Sequence, residues 1–481
     1  MVEARAPTYT EARAPTYTYE PDFASRQAVV WSIFWLVAAV TVGVIVHLRL
    51  VLPDLGANLG FLSYGRLRPV FDTFVIWGWL GTAAIAAVFF IIPRLSEAQL
   101  HNEPLGAATV IFWGVALFVG EGALLVGMNQ GRPLGELPLG VDAILLVMMA
   151  FVLYNAGVTV VRRRGRTLYV SGWFLLTSAL LLPVIFAIGN LPVFTGITDA
   201  IVNGFYRSGL ELVWLLPVGL GVAYYVVPVE TGRPLHSVPM ARIAFWTLLF
   251  AGGWAGQRFM VGGPTLDYQA ALAVAMTAVV GIPVLSSLSN LFSTGRGRWD
   301  LIGQAFGLRW AATGLALSVV WVALVLASVI PQSGDLVGLT TWNDGVGYLA
   351  AFGVFSSFAF ALIYRSYPLL VGRGWASDRL SSFHFWATLI GVGAGVALLL
   401  AGGVAQGIAQ QTAARLGDST PTDELWQWIA LSQRSFQVLT AIAFGVVAVA
   451  QYAFAWNAFR TVRQGPLVQL TAGPVPVRST A

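Results

Sequence analysis

The chain has 481 residues, of which 57% are hydrophobic and only 10% charged, with a mean hydropathy of +0.74, far too apolar for a single soluble core and diagnostic of a bilayer protein. All 27 basic residues are arginine, giving a formal net charge of +5, and there is no cysteine, which excludes disulfides, thiolate metal sites and haem attachment through Cys-x-x-Cys-His. The arginines cluster in alternate loops, so the basic balance reports topology; it gives no reason to expect nucleic acid, and membrane lipid is the expected surrounding.

Residues 1–26 contain an octapeptide written twice, EARAPTYT at 3–10 and again at 11–18. This polar, Pro-containing composition cannot bury a core and predicts a disordered tail. The apolar run that follows has the length of an anchor, so no cleavable signal is expected. A hydrocarbon core of about 30 Å needs roughly 20 apolar residues at about 1.5 Å rise. Twelve stretches qualify: 27–48, 70–92, 106–128, 138–161, 168–189, 203–228, 239–260, 268–292, 306–330, 345–371, 383–408 and 433–459. The chain is therefore expected to be all-α and polytopic, with a twelve-helix membrane domain over 27–463 and a second tail over 464–481. An even number of spans puts both termini on one side. Most of the arginines lie on that side, above all the run Arg162, Arg163, Arg164 and Arg166, and the positive-inside bias then predicts cytoplasmic termini.

Taken in order, the second span is entered through Gly65-Arg66-Leu67-Arg68-Pro69, with Asp72 as a hydrated helix start. The third contains Phe112-Trp113-Gly114, ends in Gly127-Met128-Asn129-Gln130, and carries Glu121 inside it. A carboxylate at that depth costs roughly 2.5–3.5 kcal/mol on insertion scales and requires a structural partner, a cavity or a proton path. The fifth reads YVSGWF at 169–174 and leaves through Gly189-Asn190-Leu191-Pro192. Residues 206–262 then hold two apolar runs around a polar turn, with Tyr224-Tyr225, Arg233-Pro234, Phe245-Trp246 and Trp254-Ala255-Gly256. Further on come Gly297-Arg298-Trp299-Asp300, the phrase TTWNDGVGY at 340–348, His384-Phe385-Trp386, Gln406-Gly407, a polar loop at 409–432 and AWNAFRTVR at 455–463.

These phrases, in register from about residue 60 to 463, resemble the catalytic subunit of the cbb3-type haem-copper oxidases. The resemblance implies twelve helices of the haem-copper oxidase subunit I type, oxygen reduction as the family activity, haem b and copper as family cofactors, and the inner membrane of a prokaryote. It also implies where the ligands should stand. The low-spin haem histidine falls at Phe71, and the family's Gly-His-x-His phrase falls at Gly345-Val346-Gly347-Tyr348, so Val346 and Tyr348 occupy two haem-ligand positions. The copper histidines fall at Ser208, Arg258 and Phe259, and the active-site tyrosine at Gly252. Copper wants imidazole nitrogens, and an always-protonated guanidinium has no lone pair to give. Tyrosinate can hold haem iron, but Tyr348 stands alone.

Four histidines remain, His47, His101, His236 and His384, none at metal-ligand spacing from another. His384 matches a family histidine outside the ligand set. Arg258 either pairs with Glu211 or snorkels to the interface, and Glu121, Arg207, Glu211 and Arg258 form a candidate buried charge network. The chain is expected to be a non-catalytic, cofactor-free membrane component of a respiratory or electron-transfer complex, next to other membrane or cytochrome c subunits. Two further readings stay open: a transporter or ion conductor reusing emptied haem cavities, with Glu121 and Glu211 on its path, and a terminal oxidase or nitric oxide reductase subunit with unrecognised ligands.

Overall fold

The computed structural model of the protein describes residues 21–165, 167–261, 263, 266–416 and 422–467; the octapeptide repeat and Arg166 lie outside them. Among the described residues, twelve helices are long and apolar enough to cross a membrane: α1 Phe23–Val51, α2 Tyr64–Ser96, α3 Glu103–Leu125, α4 Leu139–Val161, α5 Val170–Asn190, α6 Gly196–Thr231, α7 Val238–Met260, α8 Asp267–Thr294, α9 Phe306–Val329, α10 Thr341–Val371, α11 Asp378–Arg415 and α12 Glu424–Gln464. The end of the bundle at which α1 starts and α12 finishes is the terminal face, and the opposite end the far face. The expected polar loop over 409–432 is mostly helix. Its apolar side chains Ala409, Ala413 and Ile429 pack with Leu425 between α11 and α12, so both helices are longer than a hydrocarbon core of about 30 Å requires; the 38 residues of α11 measure about 57 Å at about 1.5 Å per residue.

Three helices are central. The most apolar windows of α2, α6 and α10 are 94%, 89% and 89% buried, against 33–50% in the other nine, as expected of helices that are hydrophobic all round. Each of the three widens into a π-helical stretch, Phe74–Leu80, Leu210–Leu215 and Leu349–Phe355. Each also ends alike at the terminal face. Pro93, Pro228 and Pro368 sit in the last turn, the residue after the helix (Glu97, Gly232, Gly372) turns left-handed, and the carbonyl of the proline accepts from the N–H of Ala98, Arg233 or Arg373.

A second repeated device follows each of these turns. Asn155 Nδ2 donates to Asn102 O and Asn155 Oδ1 accepts from Asn102 N, while Thr159 Oγ1 accepts from His101 N. Asn290 and Thr294 clasp Ser237 and His236 in the same way. Asn457 Nδ2 donates to Ser377 O and Thr461 Oγ1 accepts from Ala376 N. An Asn and a Thr four residues apart share one helix face, and in lipid such groups must find partners inside the protein; here they take the otherwise orphaned backbone at the start of α3, α7 and α11. The chain is thus three four-helix units, each with its second helix at the centre.

His384 is fully buried. Tyr364 Oη lies 3.0 Å from its Nδ1 and Gln451 Oε1 3.0 Å from its Nε2, with Gln451 Nε2 donating to Thr388. With the amide in that orientation Nε2 carries the proton and Nδ1 accepts from the tyrosine. It is a staple joining α10, α11 and α12.

Candidate functional site

Two groups of residues stand at the far-face half of the central helices, and both contain positions singled out in the sequence. In the first, α2 supplies Phe71 and α10 supplies Tyr348 and Phe352. Phe71 stacks on Phe352 at 6.2 Å between centroids and meets Phe444 of α12 edge-on at 5.8 Å; Tyr348 lies 5.1 Å from Phe352 and 6.0 Å from Phe444. His47 of α1 stacks on Phe444 at 4.3 Å. Gly43 makes this closure possible, since a Cβ there would fall 2.5 Å from Phe444 and 2.6 Å from Phe71. Val346 is partly buried and packs against the same core. Phe71, Tyr348 and Phe352 are all buried. A haem does not fit these residues: neither Phe71 nor Val346 has a donor atom, and the Tyr348 ring is held in the aromatic cluster by Phe352 and Phe444.

In the second group, α6 supplies Arg207, Ser208 and Glu211, and α7 supplies Arg258 and Phe259. Arg258 forms an ion pair with Glu211. The guanidinium of Arg207 lies 3.8 Å from the centre of the Phe259 ring and that of Arg258 4.7 Å from it, a geometry in which the ring face attracts both cations. Ser208 is fully buried and its Oγ has no hydrogen-bond partner. Gly252 packs against Leu212 and Val213. A hydroxyl, a guanidinium and a phenyl ring do not make a copper site.

The sequence grouped Glu121 with these arginines, and the structure divides that network. Glu121 is buried with neither carboxylate oxygen hydrogen-bonded, and the charge that acts on it is that of Glu136, which belongs to the loop 126–138 between α3 and α4. Arg207 is the link, since it lies within electrostatic reach of Glu211, Asp72 and Glu136 together. Asp72, expected as a hydrated helix start, is instead gripped by Arg68 at 2.9 Å, and Arg68 reaches across to Asp344 of α10 at 3.1 Å. Burial first, and the Asp72 carboxylate second, push Glu136 up to about 7, against the opposing pull of the Leu134 and Glu136 backbone N–H groups and of Arg207. Glu136 and Asp344 were missed because a single acidic residue in a loop or a helix start carries no motif. Only the folding of that loop over the bundle makes one of them a buried charge.

Below this charged layer the centre is uncharged. Residues 73–93, 212–229 and 345–364 contain no charged side chain and no histidine, an apolar length of about 27 Å or more at about 1.5 Å per residue. A cavity lined by Gly81, Trp113, Met149, Ser178 and Trp214 measures about 30 Å³, room enough for a water.

Residues 24–436 match the family described as Cytochrome C and Quinol oxidase polypeptide I. The chain belongs to that family. It is 27% identical to a cytochrome c oxidase subunit 1 of Rhodobacter capsulatus, over 77% of this chain and 73% of that protein. It is 25% identical to a cbb3-type cytochrome c oxidase subunit of Stutzerimonas stutzeri, over 91% and 94%, and 24% identical to a nitric oxide reductase subunit of the same organism, over 81% and 85%. A solved haem-copper terminal oxidase dimer superposes with a TM-score of 0.78 at 13% identity, covering 96% of this chain and 87% of that one. The fold is therefore that of haem-copper oxidase subunit I, and the protein is a multi-pass membrane protein of the kind found in prokaryotic plasma membranes.

Proposed function

We propose that this chain is a non-catalytic subunit I relative that binds neither haem nor copper and serves as a membrane component of a respiratory or other electron-transfer complex. The observation that supports the reading is that none of the six positions to which the resemblance assigns ligands is a histidine, that Phe71 and Tyr348 lie in one aromatic cluster with Phe352 and Phe444, and that Arg258 pairs with Glu211. Its partners would be a cytochrome c subunit or another oxidase-like membrane protein, by analogy with the relatives named as cytochrome c oxidase subunits. The terminal face would be cytoplasmic, in keeping with Arg162, Arg163 and Arg164 at the end of α4.

Ion conduction is less well supported, because Glu121 and Glu211 both lie toward the far face and the uncharged length beneath them offers a permeating ion no partner. Retained oxidase or nitric oxide reductase chemistry would require ligands other than His384 and His47. His384 has both ring nitrogens engaged and His47 is stacked in the aromatic cluster. The deciding experiment is a reduced-minus-oxidised optical spectrum, with iron and copper analysis, on protein purified from its native membrane. A folded, monodisperse sample without stoichiometric metal, co-purifying with a redox subunit, is the expected result. Stoichiometric haem would end the proposal.

A further inference from the structure

The loop 126–138 is tied down at the far face from four sides. Arg66 Nη1 of α2 donates to Leu125 O at 3.0 Å, just before it. Gln130 Nε2 donates to Asp142 of α4 at 2.7 Å. Arg132 pairs with Asp199 of α6 at 3.0 Å and donates to Asn190 O of α5. Asn203 Nδ2 and Tyr206 Oη of α6 donate to Pro133 O and Leu134 O, each at 3.0 Å. Leu134 holds a φ of 63°, a left-handed conformation that a branched side chain seldom adopts.

The result of this fastening is that Glu136 points inward. It is 9% exposed and its Oε2 has no hydrogen-bond partner. The groups that face it are Glu121 from α3, Asp72 from α2 and Arg207 from α6, and Tyr206 from α6, which also lies within reach of Asp142 of α4. Two of these four are carboxylates. Arg207 is the one cation among them, and it is shared with Glu211, whereas Arg68 is committed to Asp72 and Asp344. A full negative charge on Glu136 therefore enters a neighbourhood in which carboxylates already outnumber the available guanidinium, and its unpartnered oxygen has no donor to take.

We propose that Glu136 is a proton-operated latch on the far-face loop: carrying its proton it stays seated beneath the loop beside Glu121, and on losing the proton it leaves that seat and releases residues 126–138. The position of Glu136 near 7 would set the opening within the ordinary range of the compartment. This device is independent of whether the protein binds a cofactor.

The test is hydrogen–deuterium exchange of the 126–138 segment in full-length protein in lipid nanodiscs, from about pH 5.5 to about pH 8.5, corrected for intrinsic exchange. A one-proton latch predicts protection that is flat on the acid side and falls by up to about tenfold per pH unit above the midpoint. In Glu136→Gln, which keeps the shape and cannot ionise, the segment should stay protected throughout. Wild-type protection that does not change with pH would overturn the proposal, and so would an unaltered pH response in E136Q. The wild-type profile decides the matter even if the variant fails to fold.

Discussion

Replacing Arg258 by glutamine tests whether the charged layer at the far face holds α6 to α7. In the folded protein the Arg258 side chain is 5% exposed and its partner Glu211 19%, so the pair lies between two regimes. Removing one partner of a fully buried pair costs about 3–5 kcal/mol because the other charge is stranded, whereas an exposed pair is worth about 0–1 kcal/mol. The cation contact with Phe259 adds about 0.5–1 kcal/mol. Arg207 lies within electrostatic reach of Glu211 and can take up part of the stranded charge. The expected loss for R258Q is therefore about 2–3 kcal/mol, toward the buried end of the range. The double variant E211Q/R258Q should recover part of it, with a coupling energy of about 1–2 kcal/mol, within the range seen for residues in one salt-bridge network. Unfolding by titrated denaturing detergent in mixed micelles, followed by far-UV circular dichroism, supplies both numbers. If R258Q stays within about 0.5 kcal/mol of the wild type, as a surface substitution does, the arginine merely snorkels and the pairing carries no stability.

Restoring imidazoles alone should not restore a haem site. F71H/Y348H is expected to purify without haem by pyridine haemochrome assay, because Phe352 and Phe444 still fill the space; only with Phe444→Ala added should haem be retained, and stoichiometric haem in the double variant would refute the packing argument. Asn290→Ala removes both hydrogen bonds to Ser237 and should lower stability by about 1–2 kcal/mol at about 1 kcal/mol per bond, with Asn155→Ala matching it; a silent Asn290 would mean that the start of α7 is held by Thr294 alone. For Glu136, raised from the ordinary 4.5 to about 7, the folded protein binds the proton more tightly than the unfolded chain. Its stabilising contribution is then fully present below about pH 4.5 and lost as pH rises through about 7, at about 1.4 kcal/mol per pH unit. The thermal midpoint should fall over that window more steeply in wild type than in E136Q, and parallel curves would contradict the assignment.

Much of the architecture was legible in the residues. Runs such as 70–92 and 345–371 can be nothing but spans, and the phrases GRLRP, YVSGWF and HFW at 384–386 carried the family resemblance. Helix ends were less legible, because α11 and α12 continue as polar, small-residue helices once each has the other to pack against. The threefold repeat of Pro, left-handed turn, cap, Asn and Thr was present in the letters but is scattered over some sixty to ninety residues per unit, and only the hydrogen bonds tie its parts together.

Twelve apolar spans can be read from the residues alone, and the family resemblance adds the oxidase subunit I type and six positions at which ligands are expected and no histidine stands, since apolar length and donor chemistry belong to residues one at a time. What surrounds those positions is visible only in the folded chain. Whether Phe71, Tyr348, Phe352 and Phe444 leave a cavity or close it, whether Arg258 meets Glu211, and whether Glu121 finds a cation or another carboxylate all depend on distances between helices far apart in the chain. Packing and electrostatics fall off within a few ångströms, and no spacing along the sequence encodes them.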